Sequence, residues 1–370
     1  MIARPGKPAE SLALRGGPTP ALSITHLPIG RIAATILWPT LALAALLLFN
    51  FFFTEGFFTV RVVEGRLYGS PIDVLNRGAP VLLLALGMTL VIGTGGIDLS
   101  VGAIMALTGA VSACLLAPPD DSPLVAMAAR VGGSLPIVLA SGLLVALLAG
   151  LWNGVLVAFF RLQPIVATLI LMVAGRGVAQ LITNGQIPTF EHEGFAWIGG
   201  GAALMLPVPM LIAAAAAFVM VALVRGTALG LFVEAVGDNR EASRIVGVNA
   251  AGVRMACYVA SGLLAGVAGL ITTADIKAAD VNNAGLYLEL DAILAAAIGG
   301  ASLAGGRFSL VGSILGALVI QTLTTTILAR GYRPETTLVI KAAVVVALCL
   351  LQSEAFRGCV TRLVWRWRAA

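Results

Sequence analysis

Few side chains in this sequence are placed to do chemistry, and those few stand where water is scarce. Asp98 and Ser100 close the segment GTGGIDLS (Gly93 to Ser100) between two long apolar stretches. Asn153 sits within GLWNG, Arg176 within AGRG, and Glu289 and Asp291 open another apolar run. None belongs to a covalent catalytic set. There is no HExxH or GxSxG segment, the two histidines (His26 and His192) fall outside the apolar runs, and Cys114, Cys257, Cys349 and Cys359 form no CxxC pair. The work open to such residues in apolar surroundings is hydrogen bonding and electrostatics. A glycine-rich backbone break and an ionisable side chain are each costly in a bilayer unless protein or a water-filled cavity surrounds them. The GTGGIDLS break therefore points to a transport pathway.

The elements that must position these residues follow from composition. Of the 370 residues 59% are hydrophobic and 11% charged, and 43 are glycine. With a mean hydropathy of +1.00, such a chain cannot cover itself with polar surface. The sequence predicts an all-α polytopic membrane protein of about ten spans of ~20 residues. The spans are expected near 33–53, 73–93, 98–117, 136–160, 164–183, 207–224, 251–275, 287–303, 308–329 and 335–352. This makes one transmembrane domain over 32–353, with a loop over 226–250 and tails over 1–31 and 354–370. Gly93, Gly95 and Gly96, Pro164, Gly175 and Gly177, Gly299 and Gly300, and Gly305 and Gly306 interrupt the segments. Discontinuous helices are how transporters build midplane sites. VGAIMAL (Val101 to Leu107) and VGSILGA (Val311 to Ala317) each follow a Gly-Gly break. That echo reads either as an internal duplication or as the chance recurrence of small apolar residues. The cysteines read as small core hydrophobes.

Charge sets the orientation. The first apolar run, Ile32 to Phe53, is too long for a signal-peptide core and lacks a small-residue cleavage site, so it reads as an uncleaved first span. The tail from Arg357 mixes four arginines with Trp365 and Trp367, as at a cytoplasmic interface. Threading ten spans from an inside N-terminus puts about twice as many basic residues on the cytoplasmic side as outside. The pI of about 9.3 thus reflects orientation in a lipid membrane and gives no case for nucleic acid. Both termini are expected in the cytoplasm.

The longest polar segment after the N-terminus is EAVGDNREASRIVGVN, Glu234 to Asn249. Its charged residues alternate with Ala, Ile and Val as in a short amphipathic helix, and Gly247 supplies a stop. It reads as a docking helix or as a solvated loop between spans.

GMTLVIGTGGIDLSVGA, EAVGDNREASRIVGVN and LDAILAAAIGGASLAGGRFSLVGSILGAL, in that order, resemble the permease subunits of bacterial ABC importers for ribose and related monosaccharides. The similarity extends over nearly the whole chain after about Pro39. VEGRLYGSPIDVLNR, IVATLILMVAGRGVAQLIT and ADIKAADVNNAGLYLELDAIL are more similar to galactofuranose permeases than to ribose permeases. The resemblance implies an inner-membrane permease working with ABC ATPase subunits, a second permease chain and a periplasmic sugar-binding protein. No GxxxxGK[ST] segment is present, so ATP is expected to be used by the partner and no cofactor to be bound here. The segment with Glu234, Ala235, Gly237, Asn239, Glu241, Ala242 and Gly247 matches the family's coupling element, which fits a groove on the ATPase.

The intramembrane residues then divide between structure and pathway. Asp98 either caps the third span or contacts sugar, and Ser100 shares that ambiguity. Asn153 hydrogen-bonds a neighbouring helix or a sugar hydroxyl. Arg176 lies too deep to snorkel easily and is expected to pair with a carboxylate or to cap a broken helix next to the cavity. Glu289 and Asp291 suit a helix dipole as well as a substrate. A proton-coupled secondary transporter using Asp98 or Glu289 would share the composition but leaves the docking-like segment unexplained. A branched-chain amino acid permease is the nearest rival. A zwitterion calls for charged or helix-terminal partners, whereas a neutral sugar calls for amides, hydroxyls and aromatic faces.

Overall fold

The computed structural model describes residues 29–63 and 65–352. The expected N-terminal tail up to residue 28 and the tail over 354–370, with His26 and Cys359, lie outside the described residues. The chain opens with α1 (Ile29–Phe53) and a hairpin of β1 (Arg61–Val63) and β2 (Arg66–Tyr68). There follow α2 (Ser70–Gly93), α3 (Val101–Leu116), α4 (Val125–Val131), α5 (Leu135–Ala158), α6 (Pro164–Ile182) and α7 (Glu193–Gly200). A second hairpin, β3 (Ala202–Ala203) with β4 (Leu206–Pro207), leads to α8 (Val208–Gly226), α9 (Leu229–Asp238) and α10 (Arg240–Ile245). The last four helices are α11 (Ala250–Ile276), α12 (Leu288–Ile298), α13 (Leu310–Ala329) and α14 (Pro334–Gln352). Both hairpins are antiparallel, a small departure from the all-helical expectation.

Each of the ten expected spans coincides with a helix, and the ends show why. Proline stands in the first turn of α2, α5, α6 and α8, where its missing N–H costs nothing. Polar side chains cap others: Asn249 accepts from Gly252 N at 3.0 Å to start α11, and Ser309 accepts from Gly312 N at 3.1 Å to start α13. Among the described residues seven helices are long and apolar enough to cross a membrane. α3 has 16 residues and α12 has 11. At 1.5 Å per residue α12 extends only about 16 Å, roughly half the hydrocarbon thickness. The expected eighth span over 287–303 is thus corrected: its helix stops before Gly299, and the chain returns through 299–309 to α13.

Burial separates centre from rim. In α2 72% of the spanning window is buried, against 11% in α1, so α2 is core and α1 faces outward. Leu83, Leu86, Met88 and Ile92 of α2 pack with Ile104 and Met105 of α3 and with Tyr258 of α11, all under 2% exposed. α5 and α11 cross where Gly150 and Gly262 meet backbone to backbone; a Cβ on Gly262 would lie 2.8 Å from Gly150 Cα. Cys114 and Cys257 are buried free thiols.

The helices define two ends. At one, α9 packs against α2, α8 and α11, and Arg240 reaches the last turn of α5. At the other, Arg330 donates to Phe53 O at 2.9 Å, joining the ends of α13 and α1. α1 and α14 therefore place Ile29 and Gln352 at the α9 end.

Candidate translocation site and coupling segment

At the α9 end the chain between α2 and α3 folds back into the protein. Thr94 N bonds Val91 O at 3.1 Å, Gly95 turns with φ of +77°, and Gly96 N returns to Val91 O at 3.0 Å. This reversal carries Asp98 into a fully buried position. Its Oδ1 accepts from Ser100 N at 3.0 Å and Ser100 Oγ at 2.7 Å, and its Oδ2 accepts from Ser261 Oγ of α11 at 2.9 Å. Asn153 of α5 donates through Nδ2 to Ser100 Oγ at 2.7 Å and lies 3.5 Å from Asp98 Oδ1. Leu99 N donates to Thr168 Oγ1 of α6 at 3.1 Å. Asp98, Ser100 and Asn153 are each 0% exposed, so in this conformation they join the break to α5, α6 and α11 and touch no open space. Hydrogen bonds of this kind contribute about 0.6 to 2 kcal/mol each between membrane helices. The set can hold four segments together as long as every donor keeps its acceptor.

Glu289 and Asp291 lie at the other end, in the first turn of α12, and part company. Glu289 is 4% exposed, and its Oε2 has no hydrogen-bond partner. Asp291 accepts from Lys341 Nζ of α14 at 2.8 Å, the one ion pair among the described residues. This pair borders a cavity of about 330 Å³ between α2, α8, α11, α12, α13 and α14, within the size range of small-molecule sites. Asn76, Arg77, Asp275, Gln321 and Thr324 supply further polar groups, against Pro80, Ile271 and Leu288. A smaller cavity of about 100 Å³ shares Asn76 and Asp275 and continues to Arg66 and Asp73. The lining thus mixes amides, hydroxyls and four charged side chains with apolar walls, and it holds no aromatic side chain.

Arg176 hydrogen-bonds neither cluster, although its charge acts on the Glu289 carboxylate. Its Nη1 donates to Val281 O at 2.8 Å and Asn282 O at 2.9 Å, while Gln180 Nε2 donates to Asn282 Oδ1 at 2.8 Å. α6 is thereby fastened to the loop before α12, and the arginine is satisfied by backbone carbonyls. Sequence reasoning leaves out Ser261 and Thr168, Lys341, and the cavity residues Asn76, Arg77, Asp275, Gln321 and Thr324. Ser261 and Thr168 carry no signal in the chain, since small hydroxyl residues are common in membrane helices. Lys341 and Asp275 do carry one, as charges in or ending apolar runs.

The charged pair gives a direct test. Lys341→Met leaves the Asp291 carboxylate without its counter-charge in surroundings of low polarity and is expected to destabilise the protein by about 3 kcal/mol. Lys341→Met combined with Asp291→Leu should recover most of that loss, read as the thermal midpoint in nanodiscs. Equal midpoints for the single and double variants would show that the pair contributes nothing.

The polar segment between α8 and α11 forms two short helices rather than one, starting earlier than Glu234. Asn239 is the joint, its Oδ1 accepting from Ala242 N at 2.9 Å, and Ser243 Oγ fastens α10 back to Ala235 O at 2.8 Å. Gly247 ends the unit with φ of +89°. α9 buries Gly230, Val233 and Val236 and exposes Leu231, Phe232 and Glu234. Glu241, Ala242, Ile245 and Val246 are exposed on and after α10. Gly237 touches two broken segments at once: a Cβ there would overlap both Gly93 O and Gly306 N, which are hydrogen-bonded to each other at 3.0 Å. Gly305 lies against the same spot, where a Cβ would come within 2.8 Å of Gly237 O and 2.9 Å of Gly95 Cα. One turn of α9 thus abuts the break before α3 and the break before α13.

A family model described as branched-chain amino acid transport system, permease component, matches residues 70–349. The chain is 54% identical over 324 residues to a galactofuranose transporter permease protein of Escherichia coli K12, covering 86% of this chain and 91% of that one. It is 38% identical to a fructose import permease protein of Bifidobacterium longum, covering 87% and 88%. It is 36% identical to a ribose import permease protein of Escherichia coli K12, covering 76% and 85%. No solved structure matches.

Proposed function

We propose a cargo, partners and an orientation from one premise: this chain belongs to the permease-component family of branched-chain amino acid transport systems, among its sugar-importing members. It is a multi-pass membrane permease subunit of an ABC sugar importer. The cargo in our reading is galactofuranose, carried across the bacterial inner membrane. The observation behind this is the 54% identity to a galactofuranose permease over 91% of its length, against 38% and 36% for the fructose and ribose permeases.

The cavity beside Asp291 and Lys341 then faces the periplasm and receives sugar from a binding protein. The α9 end, with Ile29 and Gln352, faces the cytoplasm in this reading. An ABC ATPase subunit engages Leu231, Glu234, Glu241 and Ala242, and ATP is bound and hydrolysed there rather than on this chain. A second permease chain completes the pathway. When the ATPase moves α9, the contact at Gly237 carries the motion to both breaks. The Asp98 set shifts with them, and the helices rock between outward-open and inward-open states. The chain itself makes and breaks no covalent bond.

The test is reconstitution in liposomes with an ATPase, a second permease chain and a binding protein encoded beside this chain. Uptake of labelled galactofuranose, ribose, fructose and leucine is compared in the presence of ATP. Galactofuranose is expected to be imported and to stimulate hydrolysis, whereas preferential import of ribose or leucine would overturn the cargo. In the same assay Glu234→Lys with Glu241→Lys is expected to lower sugar imported per ATP hydrolysed, most at low salt. Unchanged coupling with an intact complex would move the ATPase contact elsewhere.

A further inference from the structure

A cavity of about 280 Å³ at the α9 end is lined by Arg161, Arg240 and Arg244, with Glu241, Phe159 and Asn249 completing the wall. None of its three guanidinium groups meets a carboxylate, since the one ion pair among the described residues is Lys341 with Asp291. Glu241 borders the same space without forming an ion pair. Arg240 donates through Nη2 to Ala158 O at 3.4 Å, which aims it at the carbonyl end of α5. Arg161 is held there by a backbone in the left-handed region, φ +57°, which a non-glycine residue adopts only where surrounding structure enforces it. Behind the wall Arg254 is 9% exposed, and its Nε has no hydrogen-bond partner. Three arginines thus share this space with one carboxylate, and among the described residues none of the three forms an ion pair.

The surface beside the cavity says in what form a neutralising anion arrives. Phe159 and Phe160 are 59% and 70% exposed at the cavity's edge. From them a stripe of Trp152, Leu148 and Leu144, each more than half exposed, runs along one face of α5 at helical spacing. Exposed apolar side chains of this size suit lipid acyl chains, and basic pockets between spans at the cytoplasmic side suit anionic lipid headgroups.

We propose that Arg161, Arg240 and Arg244 form a binding site for the phosphate headgroup of an anionic phospholipid, whose acyl chains lie along the α5 stripe. The site is independent of the cargo. It places a lipid between α5 and the α9–α10 unit, so membrane composition bears directly on the segment that moves in transport.

The experiment uses the assembled transporter in detergent, titrated with cardiolipin, phosphatidylglycerol, phosphatidylcholine or glycerol phosphate and read by native mass spectrometry and by thermal midpoint. Cardiolipin and phosphatidylglycerol are expected to be retained and to raise the midpoint, and phosphatidylcholine is not. The triple variant Arg161→Gln, Arg240→Gln, Arg244→Gln should bind anionic lipid about tenfold or more weakly while eluting as a monodisperse complex. Arg225→Gln, at the end of α8, should leave binding unchanged. Equal retention by the triple variant would overturn the site. Stabilisation by glycerol phosphate alone would overturn the lipid as its source. Retention by the isolated chain that vanishes in the complex would make the pocket a protein interface instead.

Discussion

Vesicles carrying Gly237→Ala are expected to import sugar at about a tenth of the wild-type rate or less, at matched membrane abundance. The added methyl group has nowhere to go. It would overlap the carbonyl of Gly93 and the amide of Gly306, both backbone atoms with no rotamer to change. Either α9 lifts away from the two breaks or the breaks part from each other and lose the Gly306 N to Gly93 O bond. Overpacking of this kind costs about 1 to 3 kcal/mol, enough for a tenfold effect on a step that needs the contact. Gly226→Ala serves as control at the same end of the molecule, because a Cβ there meets nothing within 4 Å. ATP hydrolysis by the partner should continue in the Gly237→Ala complex without matching sugar import. Normal import would show that the ATPase reaches the spans by another route.

The second large effect is expected at Asp98. Asp98→Ala removes the acceptor of Ser100 N, Ser100 Oγ and Ser261 Oγ together, in a place no water reaches. Each donor left unsatisfied costs about 1 to 3 kcal/mol, so a loss of about 3 kcal/mol or more is expected, with transport falling alongside. Asp98→Asn keeps one acceptor oxygen and should fall between wild type and Asp98→Ala. Ser261→Ala should cost about 1 kcal/mol alone and less than that in the Asp98→Ala background, since the two share one bond. Thermal midpoints in nanodiscs and uptake read both quantities. An Asp98→Ala protein as stable as wild type would place the strength of this crossing in apolar packing.

Much of the fold was legible because the bilayer imposes a similar length and polarity on most spans. Apolar runs such as 136–160 and 308–329 announced α5 and α13 within two residues. α7 was not legible. It is eight residues long, and it is held by His192, whose Nδ1 accepts from Phe195 N at 3.1 Å, and by Gly199 against Asp275, a contact between distant parts of the chain. The shortness of α12 was hidden for a similar reason, because its apolar run continues past the glycines that stop the helix.

The site was legible as a set of residues but not as an arrangement. Asp98, Ser100 and Asn153 were each conspicuous, yet which of them meet is decided by partners far off in sequence, as with Ser261. Arg176 illustrates the limit. Its charge suggested a carboxylate partner or the end of a broken helix; its hydrogen bonds go to the carbonyls of Val281 and Asn282, while Glu289 feels its charge without a direct bond. Pairing of a buried charge is required by energetics, but the choice of partner belongs to the tertiary fold.

The pair between Asp291 and Lys341 also has an electrical meaning. A single charge displaced through the membrane field exchanges about 2.3 kcal/mol with it per 100 mV. Two opposite charges 2.8 Å apart that travel together exchange almost nothing. A rearrangement that carries α12 and α14 as one body therefore leaves the membrane voltage indifferent to that step, and only a motion that draws the two helices apart would feel it.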